Sequence, residues 1–215
     1  MKNPKQVNDI VGVVSGPDST LTIGSKDACY RSGKNVEVIP WEKLAVTLTQ
    51  RGHRPKIQRA ILHASMQQFQ PTNLSYLFAD MKNMNEIVGL DKLDVSQAIS
   101  TRSMFQNCAK LTELDLHTFD TRKVADMRDM FRGCASLQDL YFSPKFEVGF
   151  TDDNYLEVKS MFEGCQPNAL THLLEVKRSY RGVPFWKKTK TMRLQDFSEV
   201  AFQEAIKEVQ HDGKR

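Results

Sequence analysis

With 215 residues, 40% of them hydrophobic and 26% charged, the chain can bury a sizeable core and is too apolar to be disordered throughout. Its formal net charge of +4 is too small to mark a nucleic-acid binder by itself. No apolar run approaches the roughly 18 residues that cross a bilayer. If Met1 is the natural start, the polar opening Met1-Lys2-Asn3-Pro4-Lys5 gives no secretory signal, so the expectation is a cytoplasmic chain or one exported by another route.

The first 35 residues are rich in turn formers, and Ile10 to Val14 and Leu21 to Ile23 read as short strands, with a third from Val36 to Ile39. Gly24-Ser25-Lys26 lacks the order and spacing of a phosphate-binding loop. Pro40 suits the first turn of a helix whose apolar stripe is Trp41, Leu44, Ala45 and Leu48. After Gly52, a second helix is expected from Pro55 to near Pro71, with Ile57, Ile61, Leu62, Met66 and Phe69 inward. The pair superficially resembles a helix-turn-helix. Its second helix has few polar side chains to reach bases, which favours a helical cap.

The next hundred residues contain one unit written several times. Met104-Phe105-Gln106-Asn107-Cys108-Ala109-Lys110-Leu111 recurs as Met130-Phe131-Arg132-Gly133-Cys134-Ala135-Ser136-Leu137. A third copy starts at Met161-Phe162-Glu163-Gly164-Cys165, and a faded one lies at Leu77 to Met81. Phe78, Phe105, Phe131 and Phe162 are 27, 26 and 31 residues apart, the period of units that bury their apolar faces only by stacking. In the middle unit, Leu-x-x-Leu-x-Leu (Leu111, Leu114, Leu116) reads as a strand, and Leu137, Leu140 and Phe142 begin the pattern again. Val124, Met127, Met130 and Phe131 fall on one helical face, which Gly133 would terminate. Cys108, Cys134 and Cys165 occupy one position in successive units and are expected to stack, buried and reduced.

The segment Met104 to Met127 resembles, position by position, the repeat of the BspA-like leucine-rich repeat family. The resemblance spans roughly residues 74–176 and is weaker in the outer units. It implies an α/β repeat: a short leucine-rich-repeat solenoid with parallel strands on one face and short helices on the other. An α+β region (1–73) would cap one end, and a segment with a C-terminal helix (177–215) the other. The family implies binding, not catalysis.

In such a solenoid, the outward strand positions Glu86, Glu113, Asp115, His117, Asp139 and Tyr141 would lie side by side on a concave sheet, suited to a basic protein partner. From Val176 to Arg193 there are seven lysines and arginines and no acid. Lys177, Arg178, Arg181, Trp186, Lys187 and Lys188 are therefore an alternative site, for nucleic acid or another anion. Packing of the aromatics onto the last repeat explains the same residues without a ligand. Asp196 and Glu199 make a capping box for a C-terminal helix from Phe197 to Val209.

Motifs for hydrolysis, metalloproteolysis and zinc binding are missing from the sequence, and His53, His63, His117, His172 and His211 have no ligand spacing. Cys29 has no recognisable histidine partner. The reading is a non-enzymatic protein-protein interaction module without cofactor or metal, acting as an inhibitor, adaptor or effector. Its oligomeric state is left open.

Overall fold

The computed structural model describes residues 10–15, 19–29, 37–143, 145–146, 160–166, 168–180 and 183–193, with the backbone alone from 170 onward. Two mixed sheets dominate. The first has five strands in the order β3-β1-β2-β4-β5. They are β1 (Ile10–Ser15), β2 (Thr20–Ser25), β3 (Glu37–Pro40), β4 (Arg59–Leu62) and β5 (Glu86–Val88). The second has four strands in chain order, β6 (Glu113–Leu116), β7 (Asp139–Phe142), β8 (Leu170–Tyr180) and β9 (Val183–Arg193). Two short helices accompany the first sheet, α1 (Lys26–Cys29) and α2 (Trp41–Gln50).

The predicted second helix does not form. The chain instead makes a 3-10 turn at Arg54–Lys56, then β4, then a second 3-10 turn at Ala64–Gln68. Buried Ala60 and Leu62 alternate with Arg59 and Ile61, a period of two that fits a strand between β2 and β5. Without a recognition helix, the helix-turn-helix resemblance is removed. Arg54, 3% exposed, ties this region to the repeats. Its guanidinium donates to the carbonyls of Ala45 (2.8 Å) and Ala79 (2.5 Å) and to Thr49 Oγ1 (2.7 Å). Burial lowers its pKa against the opposing pull of Asp80.

The α/β solenoid with a helical face is not what the chain forms. Among the described residues the repeats supply strands and turns, and their strands divide between two sheets. β5 joins the N-terminal sheet through β4, while β6 begins the second sheet. The reason lies in the backbone donors. Tyr76, Phe78 and Asp80 donate to the carbonyls of Arg102, Met104 and Gln106 in the next unit. Ser103, Phe105 and Asn107 donate likewise to Arg128, Met130 and Arg132. A helix would have used these N–H groups within its own turn. Left-handed residues at Tyr76, Asp80, Ser103, Asn107, Asp129 and Gly133 break any helical run.

The units nevertheless stack. Phe78 and Phe105 lie 5.6 Å apart, Phe105 and Phe131 5.8 Å, and Phe131 and Phe162 5.3 Å, all face to face. Beside them, the thiols of Cys108, Cys134 and Cys165 donate to the carbonyls of Phe78, Phe105 and Phe131 at 3.2, 3.1 and 3.0 Å. No disulfide joins the cysteines, which are all free. The predicted C-terminal helix from Phe197 to Val209 lies outside the described residues.

Candidate functional site: an acidic sheet face

In β6 and β7, Leu114, Leu116, Leu140 and Phe142 point into the core. Strand alternation therefore turns Glu113, Asp115, Asp139 and Tyr141 outward. The parallel register sets Glu113 beside Asp139 and Asp115 beside Tyr141. Glu113 and Asp115 are exposed, Asp139 and Tyr141 half-buried. Burial raises the Tyr141 pKa, and the nearby charges of Asp139, Glu113 and Asp115 add to the shift.

Asp115 moves the other way. Burial pushes its pKa up, but bonds from His117 outweigh this and hold it below the usual carboxylate range. His117 contributes Nδ1 at 2.5 Å from Asp115 Oδ1 and its backbone N–H at 3.0 Å. The other carboxyls with shifted pKa values also move down. Asp120 and Asp126 are lowered chiefly by bonds from Arg122 and Arg128. At Asp94, burial is outweighed by bonds from Gln70 and Ser96.

Glu86 does not join this face. It sits on β5 in the first sheet, where Arg59 holds it at 2.7 Å. Where β5 and β6 fail to pair, a seam opens into a cavity of about 230 Å³ lined by Ile87, Gly89, Asp91, Glu113, Asp115 and His117. Asp91 was missed by the sequence reading. Its placement follows from Gly89, whose left-handed φ of 76° turns the chain into a 3-10 segment at Leu90–Lys92. A second recess of about 610 Å³, among Trp41, Val46, Phe69, Leu74 and Tyr76, also went unread. Val46 and Tyr76 are exposed there.

The alternative basic site lies on the β8–β9 hairpin. Lys177 and Arg178 belong to β8, and Trp186, Lys187 and Lys188 to β9, while Arg181 lies outside the described residues. The register sets Val176 opposite Trp186 and Arg178 opposite Phe185. Burial raises the Cys29 and Cys165 thiols to about 11 and holds Cys108 and Cys134 well above the ordinary thiol range, opposite to what a nucleophile needs. Among the described residues, no cluster of three or more metal-ligating side chains occurs, and no helix is long and apolar enough to cross a membrane.

Fold and face together define a mixed-sheet protein of stacked turn-and-strand units with one outward acidic strand face. A family model described as "Mycoplasma protein of unknown function, DUF285" matches residues 61–172, more than half of the chain, and the chain belongs to that family. This corrects the resemblance to BspA-like leucine-rich repeats. No curated protein and no solved structure matches the chain.

Proposed function

We propose that the chain is a non-enzymatic binding protein that holds a basic segment of a protein partner on the face of Glu113, Asp115, Asp139 and Tyr141. The observation that carries this reading is the β6–β7 register, which gathers three carboxylates and a tyrosine on one outward surface. A tyrosine among carboxylates offers both an apolar platform and charge to a lysine or arginine side chain. The shifted carboxyls among the described residues all have lowered pKa values, which suits fixed negative charge and opposes a general acid.

The test is binding of lysine- and arginine-containing peptides by calorimetry, with the combined variant Glu113→Gln, Asp115→Asn, Asp139→Asn as control. Micromolar binding that weakens at least tenfold in the variant supports the reading; equal binding by both proteins removes the face from it. The alternative, nucleic-acid binding by the β8–β9 hairpin, draws support from the register that sets basic and aromatic positions across from one another. Its test is a gel shift with a single-stranded oligonucleotide at low salt, where lack of retardation ends it.

A further inference from the structure

β6 and β7 are four residues long, but β8 and β9 are eleven. β7 pairs with Leu170 to Leu173 only, so Leu174 to Val176 and Arg178 to Tyr180 pair with β9 alone, on either side of a register shift at Lys177. The outer part of the hairpin therefore continues past the sheet as a two-stranded arm. A register shift between Leu173 and Leu174 falls where the arm leaves the sheet, and a bulge at that position bends and twists a ribbon. Because β8 runs parallel to β6 and β7, the arm departs beyond Leu116 and Phe142, not across Glu113 and Asp139.

The arm and the face carry opposite charge. Lys177, Arg178, Lys187 and Lys188 stand at arm positions against a single acid, Glu175, which the register sets opposite Lys187, so the arm keeps a net positive charge. The outward face of β6 and β7 offers Glu113, Asp115 and Asp139. Seven arm residues at about 3.3 Å each extend about 23 Å, enough to cross a four-stranded sheet.

We propose that the chain associates head to tail, the basic β8–β9 arm of one molecule lying on the acidic β6–β7 face of a second copy. The inference rests on the acidic face reading and names the chain's own arm as the basic segment it receives. The two surfaces differ, so the contact is heterologous and each bound copy leaves one arm and one face for further copies. Charges at such a surface are screened over about 8 Å at physiological salt, so association weakens as salt rises.

Sedimentation of the full chain over a hundredfold concentration range, at low and high salt, tests this. The expected result is an average mass that grows with concentration at low salt and returns to one chain at high salt. A single-chain mass throughout overturns the proposal. Two neutralised variants then locate the contact: Lys177→Gln, Arg178→Gln, Lys187→Gln, Lys188→Gln on the arm, and Glu113→Gln, Asp115→Asn, Asp139→Asn on the face. Each alone should stay single at the concentrations where the unaltered chain associates. Mixed, they should form a one-to-one pair that grows no further, one donating its arm and the other its face. Association that survives in either variant, or an arm that engages only an added oligonucleotide, overturns it. If lysine-containing peptides bind the face while the unaltered chain remains single, this inference fails and the binding function stands.

Discussion

Phe105 touches a ring on either side, 5.6 Å from Phe78 and 5.8 Å from Phe131, and is fully buried. Phe105→Ala opens a cavity that backbone-anchored neighbours cannot close. It should lower stability by about 3–5 kcal/mol, seen in the urea midpoint. The thiols beside the rings are held as neutral donors to carbonyls. Cys108 and Cys134 should therefore resist alkylation at pH 8 until the protein unfolds, a result readable by mass spectrometry with and without denaturant.

At Asp115 the folded pKa is depressed, so the stabilising bonds from His117 are present above the unfolded value of about 3.9 and vanish as pH falls through the lower folded value. The face thus keeps this charge down to about pH 4. His117→Ala removes the ring donor, and the Asp115 carboxyl should then titrate at higher pH, as followed by carboxyl carbon NMR.

Among the elements, the turns decide the architecture. Gly133 has φ 73°, and a Cβ there would sit 2.3 Å from Asn107 Oδ1. Gly133→Ala should therefore cost about 1–2 kcal/mol from the left-handed backbone, plus the displacement of Asn107 from Asp80, which it reaches at 2.8 Å. Thermal unfolding of the variant measures the loss. Arg54→Met should also destabilise, by about 1–3 kcal/mol for the Ala79 carbonyl left without its donor, while the Ala45 carbonyl keeps the Thr49 hydroxyl at 3.0 Å; the same assay reads it.

These elements also show what the sequence could reveal. Strands β1 to β3 and helix α2 were legible because β-branched runs and the Trp41, Leu44, Leu48 stripe are local patterns. The phenylalanine period was equally plain. What misled was the spacing of Val124, Met127, Met130 and Phe131, which satisfies a helical face and a chain of turns alike. The choice between them is made by donors that bond to the next unit, and no single unit's sequence displays that partner. Glu86 was misplaced for a related reason: Arg59 and β4 claim its strand from outside the repeat. The pairing of Glu113 with Asp139 needed only equal spacing between copies, so that part of the candidate site was readable in advance.

Over the whole molecule, one hydrophobic cluster runs from Ile10 in the first sheet to Met161 in the last described repeat. The sheets are separate in hydrogen bonding yet share a core, and the seam between β5 and β6 is where the polar surface enters. Because that cluster passes beneath the seam, urea unfolding should be a single transition by both fluorescence and circular dichroism. Two separated transitions would show the sheets to be independent folding units.

The unit-to-unit hydrogen bonds carry one more implication. Each repeat donates to its successor the same backbone N–H groups that its predecessor donated to it, whatever side chains ride on the surface. An in-frame duplication of residues 105–130 would thus graft a spare module whose two ends already match their neighbours. The molecule could lengthen in steps of one module without redesign of either terminus.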